Sequence, residues 1–148
     1  MRCAPLDPDS AEARLLIGEL DAALAALCGD SGAGSFDPAS VRGPGAVFLV
    51  ARTAQGEAVG CGALRPLAPG VAELKRMYAR PGSGAGRCLL AALEAQAAAF
   101  GYRDIWLSTR RVNLRALGFY ERSGYAPVDN YGRYAGRDAS VCLGKRLG

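Results

Sequence analysis

Between Met77 and Leu90 a strand-like run gives way to Pro81-Gly82-Ser83-Gly84-Ala85-Gly86 and then to a helix bearing Leu89 and Leu90. The first backbone N–H groups of a helix have no partner within it, and the helix dipole adds positive potential there. Glycines let a phosphate approach that backbone closely, so the segment reads as an anion site; a plain flexible turn is the alternative. It is not a P-loop, because Gly86-Arg87-Cys88 stands where G-K-[S/T] is required. Nor is it a dinucleotide fingerprint. Gly82, Gly84 and Gly86 are evenly spaced, and Asp104 begins the following strand instead of ending it.

What is missing narrows the chemistry further. The chain has no histidine, which excludes Ser-His and Cys-His catalytic pairs and removes the commonest zinc ligand. Its five cysteines, Cys3, Cys28, Cys61, Cys88 and Cys142, are odd in number and form no C-x-x-C pair. Free, reduced thiols are expected, with no disulfide framework and no metal site. The net charge of +4 suits a small anionic ligand and falls short of a basic stripe for nucleic acid. No signal-like leader is read at the N-terminus, and no apolar run of about 18 residues could span a membrane. A cytoplasmic protein is therefore expected.

The elements that must position these residues follow from periodicity. Asp9 or Ser10 is placed to cap a helix on which Leu15, Leu16, Leu20, Leu24 and Leu27 recur at helical spacing, ending near Cys28. Residues 31–44 read as loop, with a short helical turn at 38–41. Strands are predicted at 47–52, 58–67 and 71–79, the first two joined by the Thr53-Ala54-Gln55-Gly56 turn. The glycine-opened helix runs to about Phe100, with Gly101 as its terminating residue. A strand at 105–109, a helix at 114–123 after Asn113, and strands at 125–128 and 140–143 complete the chain. Pro127 points to an edge position for the first of these last two strands. The whole is one α/β domain spanning 1–148, with helices packed on a mixed sheet.

Asn113-Leu114-Arg115-Ala116-Leu117-Gly118-Phe119-Tyr120-Glu121-Arg122-Ser123-Gly124-Tyr125 resembles the N-x-x-A-x-x-F-Y-E-x-x-G-[F/Y] segment of the GNAT superfamily of N-acetyltransferases. The glycine turn with Arg87-Cys88-Leu89-Leu90 resembles that superfamily's G-x-G-x-G-R-x-L-L. Glu73 through Tyr78 and Val59 through Arg65 are similar to one small bacterial branch of it. The resemblance runs from about Val47 to the C-terminus. It implies a GNAT-like acyl-CoA N-acyltransferase fold, with a central, mixed, mostly antiparallel sheet flanked by helices. It also implies acetyl-CoA as cosubstrate and a primary amine of a small molecule or peptide as acceptor. One departure stands out: Pro81 occupies the Gln/Arg position before the first glycine, and Arg80 is the candidate substitute.

For acetyl transfer the amine must lose a proton, the thioester oxygen needs donors, and the departing thiolate benefits from an acid. The resemblance gives Tyr120 the acid's place; core packing beside Phe119 is its other reading. Strand alternation puts Glu73, Lys75, Met77 and Ala79 on one face, opposite Leu74, Arg76 and Tyr78. Glu73 is the candidate base, through water, or else a carboxylate paired with Lys75. The resemblance further implies that the backbones of Met77 and Ala79 bind the pantetheine arm. Gly82, Gly84, Ala85, Gly86 and Arg87 would then hold the pyrophosphate. Asn113 would orient the arm or serve as a helix cap. No metal is implied, and the protein is expected as a monomer or homodimer. Two other readings stay open: a CoA-binding module without catalysis, and an α/β binding domain without a CoA site. Residues 29–44 and 129–137 are expected to shape the acceptor pocket.

Overall fold

The computed structural model describes residues 1–148 except Ala33 and Ser35. The expected 31–44 loop therefore includes two positions outside the described residues. The elements are β1 (Arg2–Pro5), α1 (Ala11–Cys28), β2 (Val47–Arg52), β3 (Ala58–Ala68), β4 (Val71–Ala79), α2 (Ala85–Ala99), β5 (Asp104–Arg110), α3 (Leu114–Arg122), β6 (Ala126–Val128) and β7 (Ser140–Arg146). Short 3₁₀ turns lie at Pro38–Val41 and Gly132–Tyr134. The strands form one seven-stranded sheet in the order β1-β2-β3-β4-β5-β7-β6. All neighbours are antiparallel except β4 and β5.

The local signals act as their chemistry requires. Ser10 caps α1, its hydroxyl accepting from the Ala13 N–H at 3.2 Å. Gly101 takes φ +91° just past the end of α2, a conformation that costs glycine nothing. Pro127 sits on the edge strand β6, where its missing N–H breaks no interior ladder. The leucines of α1 divide. Leu16 and Leu20 are buried, whereas Leu15 and Leu27 are more than half exposed. β1 has no counterpart in the sequence reading: four residues ending in proline carry too little pattern, and pairing with β2 supplies the order. β7 continues to Arg146, past the expected 143, because β5 pairs with it along its whole length.

The two faces of the sheet have separate cores. On one face α2 and α3 pack Leu89, Leu93 and Tyr120 against Leu64, Leu74, Ile105 and Leu107. On the other α1 packs Ala13 and Leu16 against Phe48, Val50 and Cys61. Gly60 and Gly62 of β3 let α2 lie close. An added Cβ at Gly60 would stand 2.9 Å from both the Ala85 Cβ and the Leu89 Cδ1, and one at Gly62 would meet Leu93 at 2.7 Å.

Two irregularities shape the centre of the sheet. β4 and β5 pair only through Val71↔Asp104, Ala72↔Ile105 and Glu73↔Trp106. Beyond Glu73 they diverge. In the same stretch β4 carries a bulge: Cys61 pairs with Tyr78 and Ala63 with Lys75, so Arg76 and Met77 together oppose Gly62. Arg76 takes φ +54°, the one positive value among the described residues other than glycine.

Candidate active site

The bulge corrects the expected face assignment of β4. An extra residue reverses the phase of side-chain alternation. Leu74 before the bulge and Met77 and Ala79 after it all lie against the α2/α3 core, while Tyr78 lies against the α1 core. Glu73 and Lys75 therefore do not share a face with Met77 and Ala79. Arg76 holds the bulge through a half-buried ion pair with Asp21 of α1, and its Nη1 donates to the Ser31 carbonyl at 3.3 Å. The Cys61 thiol donates to the Arg76 carbonyl at 3.4 Å. Burial raises that thiol to about 12, so it stays protonated.

A cavity of about 350 Å³ opens where β4 and β5 separate. It is lined by Leu74, Met77, Asn113, Ala116 and Tyr120 on the α3 side and by Glu73, Lys75 and Tyr134 on the other. Glu73 is 3% exposed and lies at the last paired position of the two strands. Its Oε1 accepts from the Arg65 Nη1 at 2.9 Å and its Oε2 from the Tyr131 hydroxyl at 2.7 Å; the Lys75 Nζ is 4.0 Å away. Burial, reinforced by the Glu73 charge, pushes the Tyr131 hydroxyl far above the usual tyrosine range, so it remains a donor. Each Glu73 oxygen retains a lone pair for a further donor. Tyr131 belongs to the 129–137 segment expected to shape the acceptor pocket, but nothing in that loop's sequence points to its bond with Glu73. Arg65 was legible in principle, since the tight Ala68–Gly70 turn places it across the hairpin from Glu73.

Tyr120 is buried on α3, its ring edge-on to Phe119 and Tyr125 at 5.1 and 5.6 Å. The ring packs in the core, and the residue also lines the cavity. Burial alone raises its hydroxyl well above the ordinary value, and no hydrogen-bond partner for it is found among the described residues. Asn113 is the N-cap of α3, with its side-chain oxygen accepting from the Ala116 N–H at 3.2 Å. That leaves the amide NH₂ to donate toward the cavity it lines.

At the other end of β4 the chain turns through Gly82 (φ +76°) and Gly84 (φ +74°) into α2. Gly84 is the N-cap and provides no side-chain cap. Nothing lies within 4 Å of where a Cβ would stand at Gly82 or Gly84. A Cβ added at Gly86 would stand 3.5 Å from the Phe119 ring, so this turn lies close to α3. Ser83 Oγ accepts from the Ala85 N–H at 3.3 Å, while Arg87 is exposed on the first turn. The cradle therefore has open space, N–H groups at a helix start and a nearby cation, which fits a pyrophosphate. Arg80 does not take the place expected of it. Its Nε and Nη2 bind the Glu19 carboxylate at 3.0 and 2.9 Å, and its Nη1 binds Glu57 at 3.1 Å. It shares Glu19 with the Tyr78 hydroxyl on the α1 face. The Arg80 N–H donates to Val59 of β3, so by strand alternation the Ala79 backbone points to the open edge of β4.

Residues 20–125 match the family model described as "Acetyltransferase (GNAT) family". An IAA acetyltransferase of Azospirillum brasilense is 33% identical over 136 residues, covering 89% of this chain and 88% of the relative. The structure of a candidate acyl-CoA N-acyltransferase from Klebsiella pneumoniae superposes with a TM-score of 0.83 at 33% identity, covering 99% of this chain and 97% of that one. An aminoglycoside 6′-N-acetyltransferase solved with coenzyme A shares the fold at 18% identity and a TM-score of 0.68, covering 100% and 98%. The chain belongs to the GNAT family of acetyltransferases. It is an enzyme of the N-acetyltransferase class, with the fold its sequence implied.

Proposed function

We propose that the protein transfers an acetyl group from acetyl-CoA to a primary amine by direct attack within a ternary complex. The observation that carries this reading is the cavity between diverging β4 and β5. It adjoins the open edge of β4, and its lining includes Tyr120 and Glu73 but no cysteine among the described residues. With no histidine in the chain, the cavity's serines and threonine have no imidazole to activate them. Those features support attack by the acceptor itself over a covalent acetyl-enzyme.

Acetyl-CoA, when bound, supplies an acetyl group activated as a thioester. The α2 N-terminus, with Gly82, Gly84, Ala85, Gly86 and Arg87, holds the pyrophosphate. The open edge of β4 at Met77 and Ala79 pairs with the pantetheine arm as an added strand would, and the Asn113 amide orients it. Glu73, fixed by Arg65 and Tyr131, draws the acceptor ammonium inward and takes its proton through a water. Tyr120 keeps its proton at neutral pH and gives it to the departing thiolate. Tyrosine is ordinarily a weaker acid than a thiol, but the thiolate forms in the same dry pocket, where its own proton affinity also rises. The five free thiols suit a reducing cytoplasm.

Tyr120→Phe tests the assignment, since it removes the hydroxyl and leaves the ring packed. Chemistry-limited kcat should fall by about 10²–10⁴-fold, the span of general acid catalysis, with little change in acetyl-CoA affinity. Turnover within a factor of about two of wild type would remove Tyr120 from the acid role.

A further inference from the structure

The two sides of the cavity differ in charge. The α3 side, with Met77, Asn113, Ala116 and Tyr120, carries none. The side formed with α1 and the loop before β7 is cationic. There Lys75, Arg76, Arg110, Arg133 and Arg137 line the cavity against Asp30 and Glu73. Five of these charges are matched: Arg76 by Asp21, Arg110 and Asp30 by each other at 2.6 Å, and Glu73 by Arg65 at 2.9 Å and by Lys75 at 4.0 Å. No carboxylate among the described residues pairs with Arg133 or Arg137. Arg133 is anchored by one nitrogen, its Nη1 donating to the Gly34 carbonyl at 2.9 Å, and this ties the loop before β7 to the segment after α1. Its remaining N–H groups and the exposed Arg137 stand at the cavity mouth.

An amine acceptor arrives as a cation at neutral pH. A second or third positive charge on it would be repelled by this wall, while an anionic group would be attracted and held bidentately by a guanidinium. The cavity, about 350 Å³ and shared with the acetyl end of the donor, fits an acceptor the size of an amino acid.

We infer that the acceptor is a small amine that also carries an anionic oxygen group, a carboxylate or a phosphate, held by Arg133 and Arg137 while its amine points toward Glu73. The inference rests on the acetyl-transfer reading above. It separates this protein from polycation acceptors such as polyamines and aminoglycosides. Arg133 and Arg137 are specificity determinants in this scheme, placed across the cavity from the groups that hold the thioester.

The test is thiol release from acetyl-CoA with matched acceptors. The panel pairs amino acids with their decarboxylated amines and phosphoethanolamine with ethanolamine, alongside spermidine and kanamycin. At least one anionic member should exceed its neutral partner about tenfold or more in kcat/KM, and the polycations should be poorer still. Which pair shows the preference distinguishes carboxylate from phosphate. Arg137→Glu should cut that preference about tenfold, and Arg133→Ala should do the same. Equal or better turnover of neutral amines or polycations overturns the inference. So does an Arg137→Glu protein whose acetyl-CoA affinity, measured by calorimetry, falls as much as its preference. Wild type that binds acetyl-CoA yet acetylates no anionic member overturns the inference alone; wild type that fails to bind acetyl-CoA overturns the acetyl-transfer reading with it.

Discussion

Replacing Gly60 by alanine inserts one methyl where β3 meets the first turn of α2. The new Cβ would stand 2.8 Å from the Tyr78 carbonyl oxygen, 2.9 Å from the Ala85 Cβ and 2.9 Å from the Leu89 Cδ1. The Leu89 methyl can rotate aside. The other two atoms cannot, being backbone or fixed to it, so relief requires the start of α2 to move off the sheet by roughly half an ångström or more. Overpacking of this kind destabilises by about 1–3 kcal/mol. At roughly 2–4 °C per kcal/mol for a chain of this size, Tm should drop by about 2–12 °C. Ala85 is the first residue of α2, so the same shift displaces the Gly86 and Arg87 N–H groups from the pyrophosphate. Acetyl-CoA affinity should weaken about tenfold, equivalent to about 1.4 kcal/mol. Thermal denaturation and calorimetric titration with acetyl-CoA read the two effects. Gly82→Ala is the contrast: it meets no atom within 4 Å, so its strain comes from φ +76° alone and leaves α2 in place. Unchanged Tm and affinity in Gly60→Ala would refute the claim that this contact fixes the α2 N-terminus.

Alkaline stability follows from the buried tyrosines. Desolvation holds Tyr120, Tyr125 and Tyr131 protonated well above their unfolded value near 10, so their contribution is complete below about pH 10 and is lost as pH rises beyond it. Tm should stay flat to about pH 9, then fall, with the ring NMR signals of Tyr120, Tyr125 and Tyr131 showing phenolate only on unfolding; phenolate forming at these three in the folded state near pH 10 would contradict this. Cys3 and Cys88, whose sulfurs lie 3.2 Å apart, should be the first pair joined by a mild oxidant. Burial, with the neighbouring Cys88, pushes the Cys3 thiol up to about 12, so the rate should climb with alkaline pH. Titration after unfolding should find five thiols in protein kept from air and two fewer after oxidation, with peptide mapping showing whether another pair has formed.

The sequence made the framework legible because its signals are local. Ser10, Asn113 and Gly101 mark helix ends, the Thr53–Gly56 turn fixes a hairpin, and Pro127 reports an edge. The glycine turn could be read as a helix start because glycines at positive φ mark such turns locally. The bulge at Arg76 could not be read. It depends on Asp21, 55 positions away, to hold an arginine at positive φ, and it alone moved Met77 and Ala79 to the face opposite Glu73. The neighbours of Glu73 were hidden for a similar reason. Tyr131 reaches it from 58 positions downstream, and no local pattern announces such a contact. The engagement of Arg80 with Glu19 likewise depends on how α1 lies across the sheet.

Intact-protein mass spectrometry tests direct transfer most sharply. The enzyme is mixed with stoichiometric acetyl-CoA, sampled over time without acceptor, and then given an amine it acetylates. The protein should keep its unmodified mass throughout, and acetyl-amine should form only once acceptor and acetyl-CoA are both present. An acetyl group appearing on the protein, and passing to the amine after free acetyl-CoA has been removed, would contradict the ternary mechanism.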